Sequence, residues 1–268
     1  MISDVRNFWD ARPCNIKHSN APVGTKQWSD EVTQRKYFVE PHIPTFAAFE
    51  KWRGKRVLEI GTGIGTDALS FAQHGAHVVA TDISKVSLDL AKCRVELNKQ
   101  KVTFYQGNAE WLNMFVPIEP YDLIYSFGVI HHTPQPENIV EQLKYYTKSD
   151  TIIKVMLYHR YSWKVFSLLA RHGLWHIKNI DKFVAMYSEA QEGCPYTYTY
   201  TKESARKLFK DFEVLSMNVY HIFPYRIKEY IKHQYVKQWY FNIMPPPLFN
   251  WLERNFGWHL CMTMRLKS

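Results

Sequence analysis

From Arg56 onward, short apolar runs alternate with longer stretches in which apolar residues recur every three or four positions. Val57-Leu58-Glu59-Ile60 is the first such run and predicts a short buried strand broken by glycines, and Asp67 to His74 predicts a helix ended by Gly75. The unit then recurs. The pattern predicts strand His77–Thr81, helix Ser84–Asn98 capped by Ser84, strand Val102–Gln106, strand Tyr121–Phe127, helix Pro136–Tyr146 and strand Thr151–Leu157. Alternating strands and helices imply an α/β fold with a mostly parallel sheet and helices on both faces. After Tyr158 the regularity loosens, then resumes with helix Thr201–Phe209, strand Glu213–Tyr220 and a last strand near Trp258–Leu266.

Ahead of the first strand, residues 1–53 carry Trp9, Pro13, Pro22, Trp28, Pro41 and Pro44, with a predicted helix Ser29–Tyr37 and another beginning after Pro44. They read as a cap or lid, and 54–268 as the main domain. Residues 158–200 and 221–257 read as insertions near the ligand face.

A chain of 268 residues, 46% hydrophobic and 22% charged, suffices for one large core, and its 16% aromatic content excludes a disordered or collagen-like chain. No uninterrupted apolar stretch approaches the roughly 18 residues of a membrane span, and the first ten residues carry Asp4, Arg6 and Asp10, so a cytoplasmic location is expected. The four cysteines form no CxxC pair, which argues against a zinc knuckle or thioredoxin-like motif; reduced, mostly buried thiols are expected. Residues 1–150 hold 17 basic and 17 acidic side chains, residues 151–268 hold 17 and 8, so the formal +9 sits in the second half. Such a region suits nucleic acid, an anionic membrane, an acidic substrate, or simply solubility.

The first strand runs into Gly61-Thr62-Gly63-Ile64-Gly65-Thr66-Asp67. Glycines there allow a tight turn and close approach to a ligand. Asp82 ends the second strand 21 residues beyond Gly61, the distance at which a carboxylate meets both hydroxyls of a ribose; capping the next helix is the competing role. A dinucleotide fingerprint places its third glycine at 66, where this chain has Thr66.

The spacing is similar to the E-x-G-x-G-x-G first motif of class I S-adenosylmethionine-dependent methyltransferases. The resemblance covers about Lys55 to Lys154 through four ordered signals: Glu59 to Gly65, Thr81-Asp82-Ile83-Ser84, Gly107-Asn108-Ala109-Glu110, and Asp122 through Gly128-Val129-Ile130-His131-His132-Thr133-Pro134. It resembles most the ubiquinone and menaquinone biosynthesis type, in which a His-His segment commonly follows the fourth strand. The resemblance implies a Rossmann-like seven-stranded sheet with its last strand antiparallel. It also implies an S-adenosylmethionine site over Glu59, Gly61, Thr62, Gly63 and Gly65, the ribose at Asp82 beside Ile83, and the adenine beside Asn108 and Ala109, with Phe127 nearby. The family often has Asp where this chain has Asn108.

A sulfonium donor carries its own leaving group, so the protein has mainly to align donor and acceptor and exclude water. Where the acceptor loses a proton, His131 and His132, at the carboxyl edge of the sheet, are candidate bases; the alternative is a pair of loop residues bonded to backbone. Neighbouring side chains of extended chain point opposite ways, so one of the two is expected to face substrate. Arg12, His18, Tyr37, Glu40 and His42 of the cap are candidate lid contacts, with Tyr37 and His42 as substrate-binding candidates. Cys194 to Tyr200 alternates large and hydroxyl-bearing side chains as a two-faced strand would, offering Tyr196 and Tyr198 to an acceptor pocket or packing them on the insertion. Residues 225–241 interleave basic and aromatic side chains as on one helix, which suits an anionic membrane, single-stranded nucleic acid, or an ordinary cover helix.

The sequence thus predicts a methyltransferase using S-adenosylmethionine on an O, C or N atom of a small, quinone-like or lipid-like acceptor, with no metal. A tRNA or rRNA methyltransferase is the alternative, weakened by the absence of an Asn-Pro-Pro-Tyr-like segment or a cysteine after the fourth strand. A non-catalytic cofactor-binding subunit would show a damaged glycine loop, and a nicotinamide enzyme would not have Thr66.

Overall fold

The structure is a computed structural model that describes residues 2–173, 179–187 and 193–267. It opens with three helices, α1 (Ile2–Ala11), α2 (Lys26–Val39) and α3 (His42–Ala47). The amino-terminal pattern did not predict α1. Helix α2 starts three residues before the expected Ser29 because the Thr25 hydroxyl accepts from Trp28 N–H at 3.1 Å. Pro44 lies inside α3 rather than ahead of it, in the first turn, where its missing N–H costs no helical bond.

Strands and helices then alternate as β1 (Arg56–Ile60), α4 (Thr66–Gln73), β2 (His77–Asp82), α5 (Lys85–Leu97), β3 (Val102–Gln106), β4 (Leu123–Phe127), α6 (Pro136–Leu143) and β5 (Ile152–Tyr158). After β5 come α7 (Trp163–His172), α8 (Ile180–Tyr187), α9 (Lys202–Leu208) and β6 (Phe212–Tyr220). Helices α10 (Ile227–Ile231), α11 (Trp239–Asn242) and α12 (Pro246–Phe256) fill the segment before β7 (His259–Leu266).

The seven strands form one sheet in the order β3-β2-β1-β4-β5-β7-β6, with β7 antiparallel to both neighbours and the others parallel. This is the Rossmann-like, seven-stranded, mostly parallel sheet that the resemblance implied. Both faces are covered. Val57, Val78, Ala80, Leu123 and Tyr125 pack against Ala68, Phe71 and Ile43 on one side, while Leu58, Ile60, Ile124 and Val155 pack against Ile139, Val140 and Phe209 on the other. Burial of both faces explains why these strands read as continuous apolar runs.

Two expectations fail. Residues 194–200 form no strand; they make one bridge, Tyr200 with His159. Residues 225–241 are not one helix but the short α10 and α11, joined by a loop and tied by a Tyr225–Lys237 bridge. Cys194 and Cys261 are buried, but Cys14 is exposed; all four are free thiols. Among the described residues no helix is long and apolar enough to cross a membrane.

Candidate active site

The switch point of the sheet lies between β1 and β4, where the chain reverses its direction of travel across the sheet, and ligands of open α/β sheets bind at such a crevice. A cavity of about 590 Å³ opens there, within the range that suits a small molecule and cofactor.

Its floor is the loop after β1. Gly61, Gly63 and Gly65 all have positive φ, at 77°, 55° and 74°. A Cβ on Gly61 would stand 2.1 Å from Val129 Cγ2, and one on Gly65 would stand 2.8 Å from Ala91 Cβ. Gly65 is therefore a packing glycine between α4 and α5, and it is not among the residues lining the cavity. Gly63 lines it, and a Cβ there would meet no protein atom within 4 Å. Gly61 and Thr62 donate their N–H groups to Thr81 O at 2.8 and 2.9 Å, which ties the loop to the end of β2.

Asp82 stands at that end. Its Oδ2 accepts from Gly63 N–H and its Oδ1 from Ser84 N–H, both at 2.8 Å. Ser84 itself caps α5 by accepting from Ser87 N–H at 3.0 Å, so the helix does not need Asp82 as its cap. Each carboxylate oxygen keeps acceptor capacity toward the cavity. Burial pushes the Asp82 carboxyl up, and the backbone N–H groups of Ser84, Gly63 and Ile83 oppose it.

Asn108 accepts from Glu110 N–H at 3.1 Å, capping the turn Ala109–Met114, and lines the cavity beside Ala109 and Ile83. Glu59 is buried below the glycine loop, where it accepts from the Thr62 hydroxyl at 2.7 Å; burial, then the negative charge of Asp67, pushes it up to about 8. Asp67, in the first turn of α4, accepts from Lys36 Nζ at 2.9 Å, the Tyr37 hydroxyl at 3.0 Å and the Tyr125 hydroxyl at 3.1 Å. Lys36, Glu40 and Phe127 complete this wall.

The histidine pair divides as extended chain would, although its residues form a single turn. His132 lines the cavity, with Nδ1 2.9 Å from Tyr196 O and Nε2 3.4 Å from the Tyr158 hydroxyl. A protonated Nδ1 donates to that carbonyl and leaves the lone pair on Nε2. His131 is not part of the wall: it is fully buried, its ring centroid 3.8 Å from that of Tyr158, and neither ring nitrogen has a hydrogen-bond partner among the described residues. Burial lowers His132 to about 4 and His131 well below the ordinary range, so both rings are neutral.

The other candidates are placed differently. Tyr37 holds Asp67 rather than facing the cavity. His42 also stands off the wall, with its Nε2 2.9 Å from Nδ1 of His259, which does line it. Tyr196 and Tyr198 are half-buried and outside the lining; Thr197 turns inward instead, 3.4 Å from His132 Nδ1.

Several wall residues carried no signal in the sequence. Ile2, Val5 and Trp9 of α1 cover the cavity, and Asp10 anchors that helix by accepting from the Ser84 hydroxyl at 2.7 Å. Elsewhere on the wall stand Trp163, Leu168, His221, Phe223, Tyr240, Trp258 and His259, contributed by the two insertions and the start of β7. The wall thus combines carboxylates with aromatic rings.

Residues 57–150 match the family model described as a methyltransferase domain. That stretch, about a third of the chain, is similar to a methyltransferase domain. The chain is similar to the ubiquinone biosynthesis O-methyltransferases of Aromatoleum aromaticum, at 34% identity over 87 residues, and of Glaesserella parasuis, at 27% over 132 residues. These matches cover 32% and 48% of the chain and span 37% and 56% of the relatives' length. A likeness of fold to solved structures extends over more of the chain. Magnesium protoporphyrin IX methyltransferase from Synechocystis, solved with bound S-adenosylhomocysteine, superposes with a TM-score of 0.60 over 100% of both chains at 14% identity. A complex of a methyltransferase activator with a putative methyltransferase from Haloferax volcanii gives 0.62 over 98% of both at 13% identity.

Proposed function

We propose that the chain is an S-adenosylmethionine-dependent methyltransferase acting on an O, C or N atom of a small acceptor with an apolar body, quinone-like or lipid-like. The observation that carries this reading is the cleft at the switch point, with Asp82 held by two backbone N–H groups at one side and Glu59 beneath the glycine loop. The donor set suits the cofactor. Asp82 offers lone pairs to two vicinal hydroxyls, the loop offers space at Gly63, and buried carboxylates favour a ligand bearing a sulfonium and an ammonium.

Bound S-adenosylmethionine would supply an electrophilic methyl group with a neutral leaving group. The chain's own residues do the rest. Asp82, Ile83, Asn108 and Ala109 fix the nucleoside, while Gly61 to Gly63 admit the amino acid part. Trp9 and its helix exclude water, and the aromatic rings of the wall align the acceptor. His132 is the candidate base: neutral, on the wall, with its lone pair at Nε2 near the Tyr158 hydroxyl. His131 packs behind Tyr158 and sets its position.

A lipid-like acceptor and a membrane surface are supported by the exposed apolar side chains Ile231 at 69%, Trp239 at 64% and Ile243 at 72%, interleaved with Lys228, Lys232 and Lys237.

Calorimetry with S-adenosylhomocysteine and with NADH tests the donor. Binding of the first only is expected, weakened about 10- to 100-fold in Asp82→Asn, in line with one or two lost charge-assisted hydrogen bonds. Equal affinity of the variant, or preference for NADH, would remove the reading. Labelled donor incubated with a metabolite extract then identifies the acceptor, and loss of turnover in His132→Ala with donor affinity retained identifies the base.

A further inference from the structure

At the cavity wall three chain segments far apart in sequence converge. Glu40 follows the last turn of α2, His221 follows β6, and His259 opens β7. One donor atom from each lies within 4.8 Å of the other two, and all three residues line the cavity. We infer that Glu40, His221 and His259 form a site for a divalent transition ion of the zinc class, open on one side to the cavity.

Two imidazoles and one carboxylate are a donor set for Zn2+ and its first-row neighbours, and three protein ligands with a free position mark a site that also takes water or a substrate oxygen. The spacing supports this. His259 Nε2 and Glu40 Oε1 are 3.6 Å apart, too far for a good hydrogen bond. Ligand atoms about 2.0–2.2 Å from a tetrahedral ion stand about 3.3–3.6 Å from each other. His259 is also oriented from behind, because its Nδ1 is 2.9 Å from Nε2 of His42. With the proton on Nδ1 of His259, that contact is a hydrogen bond to His42, and the lone pair of Nε2 faces Glu40. Such support from a further side chain is what fixes the tautomer of metal-bound histidines.

The backbone adds a separate indication. His221 has φ of 73°, in a region that side-chain-bearing residues seldom occupy, and its ring stacks on that of His259 with centroids 4.7 Å apart. Held strain of this kind gathers at binding and catalytic positions. The nearby cation, Lys36, is hydrogen-bonded to Asp67 at 2.9 Å and acts on Glu40 through its charge.

Ion binding does not depend on methyl transfer, and the test keeps the two apart. The full chain is stripped with a chelator and titrated with Co2+ alone, read by its visible absorption, and then with Zn2+ in competition. One equivalent of Co2+ should bind with the intense spectrum of a four- or five-coordinate site and be displaced by Zn2+. His221→Gln and His259→Gln should each weaken binding at least 100-fold, and His42→Gln about 10-fold. In the chelator-stripped state the thermal melt of His221→Gln should match that of the stripped wild type, so loss of cobalt reports this site and not the fold. Absence of a stoichiometric cobalt spectrum at millimolar Co2+, or an unchanged spectrum in both His221→Gln and His259→Gln, would overturn the assignment. If one of these variants does not fold, the other and His42→Gln decide it.

Discussion

Glu59 shows how one side chain couples ligand binding to protons. Its ordinary value of 4.5 is raised to about 8 in the folded chain, so at pH 7 the native cleft holds a proton that the unfolded chain has released. A raised carboxyl weakens the fold progressively as pH climbs from 4.5 through 8. A cation arriving beside it favours the charged form. S-Adenosylmethionine binding at pH 7 should therefore release a fraction of a proton, measured as the dependence of calorimetric heat on buffer ionisation enthalpy, and Glu59→Gln should abolish that dependence. His131 has the opposite sign. Its value is depressed, so its contribution is complete above about 6.5 and is lost as pH falls. Two buried ring nitrogens without partners among the described residues make it a costly residue for packing alone. His131→Phe should hold or raise the melting temperature at neutral pH and narrow the stability loss at pH 5, while turnover drops if Tyr158 shifts.

At the scale of elements, Arg94 on α5 joins the cap to the glycine loop. Its fully buried guanidinium donates to Ile64 O at 2.9 Å, Thr66 Oγ1 at 2.6 Å, Ser29 O at 3.0 Å and Thr33 Oγ1 at 2.6 Å. Arg94→Leu strands those acceptors and should cost about 3 kcal/mol or more in a denaturant melt, while loosening the loop enough to weaken donor affinity. Nothing in the sequence marked Arg94, because one arginine in an amphipathic helix reads as a solvated charge. The strands and helices from Arg56 to Tyr158 were legible, since double-sided burial leaves apolar runs and Gly63 and Asp82 stand at fixed spacing. The aromatic part of the wall was not, because it assembles from α1, the insertions and β7, whose contacts no local period encodes. Tyr196 and Tyr198 misled for the same reason: their alternation mimics a strand, yet the segment is held by Tyr198 N–H to His131 O and by Thr199 to Asp181, not by a ladder.

For the whole molecule, residues 225–251 combine four basic side chains against one acidic with exposed apolar ones such as Ile231, Trp239 and Ile243. Trp251, 55% exposed, and Leu248 of α12 are also exposed apolar side chains of this segment. Flotation with vesicles of anionic lipid at low salt should recover the chain, with less recovery at high salt and in the double variant Trp239→Ser, Trp251→Ser; equal recovery with neutral vesicles would assign the contact to apolar insertion alone.

Because β7 runs antiparallel to its neighbours, its first residue, His259, lies beside the cavity although the strand is the last of the sheet in sequence. A truncation ahead of β7 would thus remove His259 from the wall and leave β6 without its partner in the sheet.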